Sequence, residues 1–192
     1  MSRTRALALT LAIVVAACGS DEGGGGAARA GAPLVFKDAP ALLMSIDTLR
    51  ADRLGCYGYT RGTSPQLDAF ARECVLFEDV YAPSCKTAES HMSLFTSLPV
   101  TAHGISNASD RLGIPLRELC DNRLTLGQML NRGGYWNTAE ACGGNLLPQM
   151  GFARGFQGRF DSRLRDVKDL VDATLQQVDA GRAQERPLFA FM

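Results

Sequence analysis

The sequence predicts an α/β domain built on a largely parallel sheet, and three observations carry that expectation. Segments of strand length recur at residues 41–46, 75–80, 135–142 and 187–192, the first and last of them continuously apolar. Segments of helical period separate them, the clearest being Leu164, Val167, Leu170, Val171, Leu175 and Val178, spaced to fall on one helix face. Strands that alternate with helices build parallel sheets, because each helical crossover returns the chain to the edge where the previous strand began.

The folded part begins near Pro40. Residues 41–46 form a continuous apolar strand ending at Asp47. Ser64-Pro65 has the form of a helix N-cap followed by proline at the first helical position, where its missing N–H is not needed. Leu67, Phe70 and Ala71 then share a face. Residues 75–80 read as a second strand and 90–98 as a helix. Leu126, Met129 and Leu130 mark another helix, stopped at Gly133-Gly134. Residues 135–142 read as a third strand, the long amphipathic helix follows, and 187–192 begin another buried strand in which the sequence stops. That ending predicts a truncated domain with uncovered sheet edges, hence marginal stability and aggregation.

The first residues do not belong to this domain. Arg3 and Arg5 give a positive start, and residues 6–17 form an apolar run too short to span a bilayer. Val15-Ala16-Ala17-Cys18 resembles the lipobox of a bacterial lipoprotein, with Cys18 as the lipid attachment site. An ordinary signal peptide cleaved near Ala17 is the alternative. Both imply export, and the lipobox implies a bacterial cell envelope location, periplasmic or at the outer membrane. The division expected is residues 1–18 as signal, 19–39 as a flexible Gly/Ala-rich tether and 40–192 as the domain.

Composition excludes one class of partner. Lys+Arg and Asp+Glu each number 20, so the net charge is zero, and no basic stripe interleaves with aromatics. Nucleic acid is therefore not expected as a ligand. After Cys18 five cysteines remain, at 56, 74, 85, 120 and 142, with no disulfide or zinc spacing. Most read as small buried residues, and the spacing leaves any bridge undetermined.

Ligands of open parallel sheets bind beyond the carboxyl ends of the strands. The first strand delivers Asp47 there, where a carboxylate suits a hard divalent cation or, more modestly, caps a turn. Thr87-Ala88-Glu89-Ser90-His91 stands between a strand and a helix. A helix start offers unpaired N–H groups that bind phosphate or sulfate and stabilise an alkoxide on a nearby hydroxyl. On local sequence alone the simpler reading prevails, with Thr87 or Ser90 as a helix cap and His91 as a packed histidine.

The stretch Ser45-Ile46-Asp47-Thr48-Leu49-Arg50-Ala51-Asp52-Arg53-Leu54-Gly55-Cys56-Tyr57-Gly58-Tyr59 resembles the opening metal-binding segment of the sulfatase family. Thr63-Ser64-Pro65-Gln66-Leu67-Asp68-Ala69-Phe70-Ala71 is similar to the segment after it. His103-Gly104, Gly134-Tyr135 with Thr138-Ala139, and Gly151-Phe152 with Gly155-Phe156 follow in family order. The resemblance implies an alkaline-phosphatase-like fold and hydrolysis of a small-molecule or glycan ester of sulfate or phosphate type. It implies Thr87 as nucleophile and metal contact, Asp47 as metal ligand, His91 in a catalytic position, and a divalent metal, calcium first, with magnesium, manganese or zinc as alternatives.

Three departures from the family pattern qualify the chemistry. Thr87 replaces the Cys or Ser that becomes formylglycine, which turns expectation toward phosphate or phosphonate esters. Glu89 replaces a proline and adds a carboxylate near an anion site. Cys142-Gly143-Gly144-Asn145 stands where many relatives carry an anion-binding Lys and His, leaving Asn145 as the substrate-binding candidate. The family's later Asp-His/Asn metal segment is absent, so this chain alone is expected to be inactive and to bind metal poorly. Two other readings remain: a non-catalytic surface lipoprotein that binds ligand, and a phosphoethanolamine-type transferase, which the lack of several membrane spans disfavours.

Overall fold

The computed structural model describes residues 38–107, 113–143, 145–163 and 165–192. The expectations for Cys18, the signal segment, nearly all of the tether and Leu164 lie outside these residues. The strands are β1 (Ala41–Leu43), β2 (Trp136–Glu140), β3 (Phe160–Asp161) and β4 (Leu188–Phe191). The helices are α1 (Pro65–Ala71), α2 (Thr87–Thr96), α3 (Val100–His103), α4 (Leu126–Arg132) and α5 (Val167–Arg182). Among the described residues no helix is long and apolar enough to cross a membrane.

All pairings are parallel and the strand order is β1-β4-β2-β3. The last strand in sequence is thus central, with Ala41 opposite Phe189 on one side and Trp136 opposite Leu188 on the other. Bonding to β4 persists past the end of β1, since Met192 N–H donates to Leu43 O at 3.0 Å and Ser45 N–H to Met192 O at 2.7 Å. That pair aims the chain toward Asp47.

Strand alternation sorts the helices onto two faces. Phe189 and Phe191 point to the α2 side, where Phe95 of α2 meets Phe191 edge-on with ring centroids 5.1 Å apart and Phe152 at 5.7 Å. Phe156 bridges Phe160 and Phe189 in the same cluster. Burying each such ring contributes about 1.5–3 kcal/mol. On the opposite face Gly181 of α5 lies against Leu188 and Trp136, and Thr138 reaches Gln177.

α4 opens with a complete capping box: Thr125 Oγ1 accepts from Gln128 N–H while Gln128 Oε1 accepts from Thr125 N–H. Buried Asn137 ties that helix to the following loop, donating through Nδ2 to Gly127 O and Gly155 O, both at 2.7 Å.

Four expectations are corrected here. Residues 75–80 are irregular, with Val75 81% and Val80 74% exposed, because no neighbouring strand satisfies their backbone. The Tyr57 hydroxyl donating to Phe77 O at 2.8 Å tethers them instead. Leu67 and Phe70 of α1 stay exposed, and Ser64 does not cap that helix through its side chain, since its Oγ donates to Asp68 Oδ1 and accepts from Gly55 N–H. α5 buries Thr174 and Gly181 and leaves Val167, Val171 and Leu175 exposed, so packing selects a neighbouring face to the most apolar one. The cysteines at 56, 74, 85, 120 and 142 are all free, and four of them are exposed on loops rather than buried.

Candidate active site

The carboxyl end of β1 and the start of α2 meet. Asp47 follows β1, and the next residue, Thr48, holds φ at 60°, an unfavourable angle for a β-branched residue that costs on the order of 1–3 kcal/mol. Across from it, Thr87 opens α2, and its Oγ1 donates to Asp47 Oδ2 at 3.1 Å. The two residues read from sequence as ligand and nucleophile are therefore in contact. Both are solvent-accessible, as attack on an incoming ester requires.

His91 lies at the same junction. Its Nδ1 lies 2.8 Å from Thr87 O, and since a carbonyl only accepts, Nδ1 carries the proton. Nε2 lies 2.8 Å from Ser45 Oγ, so the hydroxyl donates to it when the ring is neutral. Both ring nitrogens are thus used on Ser45 and the Thr87 backbone, and neither faces the Thr87 hydroxyl. His91 thus links Ser45, just past the end of β1, to the first turn of α2, next to Asp47 and Thr87.

The helix mouth is partly filled. Ala88 N–H, one of the donors expected to face an anion, donates to Asn107 Oδ1 at 2.9 Å. Asn107 is a site residue that sequence reasoning missed, because nothing local marks a side chain that caps a helix nineteen residues away. Glu89 turns out not to oppose an anion. It accepts from Ser84 Oγ at 2.5 Å and pairs with Lys86 Nζ at 3.4 Å, and the Ser84 hydrogen bond leads the causes that hold its carboxyl below the ordinary value. Asn145 lies in the loop after β2, two strands along the edge from β1, and makes no hydrogen bond to Asp47 or Thr87 among the described residues.

His103 supports α2 from behind. Its Nδ1 accepts from Ile105 N–H at 3.0 Å, which places the proton on Nε2 facing Ser93 Oγ at 3.0 Å, and burial pushes its pKa down, keeping it neutral. An open cavity of about 480 Å³ is lined by Leu49, Arg53, Leu54 and Tyr59 with the start of α1, and neither Asp47 nor Thr87 lines it.

Two oxygen donors meet at this site, and among the described residues no cluster of three His, Cys, Asp or Glu side chains could hold a metal ion. Calcium takes six to eight oxygens. These residues alone do not fit a hard cation.

The profile of the Sulfatase family matches residues 41–177, spanning β1, the Asp47–Thr87 site and most of α5. This chain belongs to the sulfatase family. The sulfatase chain is 32% identical to human arylsulfatase A over 120 residues, covering 59% of itself and 24% of that relative. Among solved structures it superimposes on BT4656, described in complex with its substrate D-glucosamine-2-N,6-O-disulfate, with a TM-score of 0.62 at 15% identity, covering 80% of itself and 33% of that chain. The phosphonate monoester hydrolase of Agrobacterium radiobacter aligns with a TM-score of 0.50 at 22% identity, covering 76% and 30%. The parallel sheet with helices on both faces is thus an alkaline-phosphatase-like fold. The sulfatase chain spans between a quarter and a third of the length of these proteins.

Proposed function

We propose that this chain is the nucleophile-bearing part of an exported ester hydrolase acting on sulfate- or phosphate-type esters. The observation that supports it is the hydrogen bond from Thr87 Oγ1 to Asp47 Oδ2 at the carboxyl end of β1. In the reaction, Asp47 takes the hydroxyl proton as Oγ1 bonds to phosphorus or sulfur, and the ester's alcohol oxygen departs with the bonding pair and receives that proton, directly or through water. Water then gives a proton to Asp47 as it attacks the same atom, and Thr87 Oγ1 leaves with its bonding pair and regains the proton from Asp47. His91 and Ser45 keep the donor and acceptor in register.

The nucleophile argues for phosphate. A phosphothreonine is open to attack by water at phosphorus, whereas nothing in a threonine side chain drives elimination of a sulfo group. The names of the relatives argue for sulfate, and the disulfated glucosamine bound by BT4656 points to a glycan. The metal proposed is calcium, held by Asp47 and Thr87 with further ligands from outside the described residues.

Incubation of the full-length protein with an aryl phosphate and, separately, an aryl sulfate separates these cases. Mass spectrometry is expected to find one transferred group on Thr87, short-lived from phosphate and persistent from sulfate. Thr87→Ala should remove it, and a chelator should suppress it until calcium is restored. Residues 1–192 alone should show neither adduct nor turnover. Absence of any adduct and turnover in the full-length protein would favour a non-catalytic binding lipoprotein.

Attachment to the cell envelope through Cys18 belongs to the same proposal and rests on the Val15-Ala16-Ala17-Cys18 motif. Metabolic labelling with palmitate should mark the protein and disappear in Cys18→Ser, and labelling that survives the substitution would reject it.

A further inference from the structure

The carboxyl edge of the sheet carries a second polar cluster that the reaction above does not use. Glu140 closes β2 and Asp161 closes β3, and the two are register partners. Their side chains are almost fully covered, at 1% and 9% exposure. Three guanidiniums lie over them. Arg165 bridges both, with Nη1 2.8 Å from Glu140 Oε2 and Nη2 2.7 Å from Asp161 Oδ2. Arg159 sets Nε 3.1 Å from Glu140 Oε1 and also pairs with Asp161. Arg163 grips Asp161 through Nε at 3.0 Å and Nη2 at 2.7 Å.

Exposure rises outward through the three, from 12% for Arg165 to 42% for Arg159 and 77% for Arg163. A solute arriving from water therefore meets guanidinium first, with the carboxylates beneath. Three positive charges face two negative ones, and the excess sits at the rim. A cluster serving only to lock β2 to β3 has no need of Arg163, since so exposed a pair contributes little to stability. An arginine whose Nε and one Nη are pinned by a carboxylate, while the other Nη makes no hydrogen bond among the described residues, is instead a rigid fork with donors to spare. Such a fork suits a tetrahedral oxyanion.

Its distance from the reacting group sets what it reads. β3 is three places from β1 in the sheet, which at strand spacing is about 14 Å. An ester bound at Thr87 would touch this rim only through a second anionic group on a neighbouring unit of the same molecule.

We propose that Arg163, assisted by Arg159, forms an anion subsite for a second sulfate or phosphate group, so that the substrate is an oligo-anionic ester such as a multiply sulfated glycan. The inference rests on the ester-hydrolase reading of Thr87 and Asp47. Its test is therefore binding, which does not need turnover. Calorimetry on the full-length protein carrying Thr87→Ala would compare a monosulfated with a disulfated disaccharide of the same sugar backbone. The disulfated probe is expected to bind about tenfold more tightly at low salt. That advantage should vanish in Arg163→Gln, measured well below that variant's own unfolding midpoint so that loss of fold is told apart from loss of the subsite. Equal affinities for the two probes, or an advantage that survives in the Arg159→Gln/Arg163→Gln double variant, would overturn the subsite. Turnover of the monosulfated ester by the wild type is read separately, and its absence counts against the hydrolase reading rather than against the affinity difference.

Discussion

Gly155→Ala is expected to destabilise the fold by about 4 kcal/mol, among the largest effects of any single substitution here. Gly155 holds φ at +88°, where an L side chain is strained, and a Cβ built on it would lie 2.1 Å from Gln128 N and 2.2 Å from Gly127 C. Those are backbone atoms in the first turn of α4, and they have no room to yield. The capping box fixes that turn, and Asn137 ties Gly127 O and Gly155 O together. In urea the midpoint should fall sharply against the wild-type chain. A variant that melts with the wild-type midpoint would show that the loop and α4 can separate without loss.

Glu140→Ala is expected to cost about 1–3 kcal/mol, because it removes one of the two carboxylates shared by Arg165 and Arg159, which keep only Asp161. The pH dependence of stability carries two signatures of this cluster. Burial pushes the Glu140 carboxyl above its ordinary value, against the opposing pull of Arg159 and Arg165. The folded state then holds that proton more tightly than the unfolded chain, so this group's contribution declines as pH rises from the unfolded value through the folded one. Asp161 behaves oppositely. Hydrogen bonds from Arg163 first, then Arg159 and Arg165, hold it far below the carboxylate range in spite of its burial. Its stabilisation is complete above the ordinary carboxylate pKa of about 3.9 and is lost as acid is added below it. Denaturation followed from neutral to acid pH should therefore show a steep acid limb that Asp161→Asn flattens. An unchanged limb in Asp161→Asn would assign acid lability to other carboxylates.

The sequence discloses those parts of the fold whose determinants are local. Residues 187–192 read as a buried strand because an apolar run of that length has no other home, and they became the centre of the sheet. Gly133 and Gly134 ended α4 as glycines do. The strand read at 75–80 failed because β-propensity needs a partner, and none lies beside it. Two-residue β3 was too short to show any period. At the site, a strand end and a helix start marked Asp47 and Thr87 as candidates, and the roles expected of them came from the family resemblance. The contact from Ser45 to His91 joins residues 46 apart, and no local pattern foretells it. The Glu140 cluster did leave a trace, for Arg159, Asp161, Arg163 and Arg165 alternate with the period of an extended chain, which places four charges on one side.

The central place of β4 has a consequence for synthesis on the ribosome. Ala41 pairs with Phe189, and β2, paired with β3 on its other side, reaches β1 only through the same strand. At about 5–20 residues per second, β1 emerges and then waits roughly 7–30 s for its neighbour to be made. Throughout that interval β1 has no strand beside it, and its end reaches α2 through side-chain contacts such as Ser45–His91 and Thr87–Asp47. Assembly of this sheet is therefore held back until β4 slots between two strands that are already present.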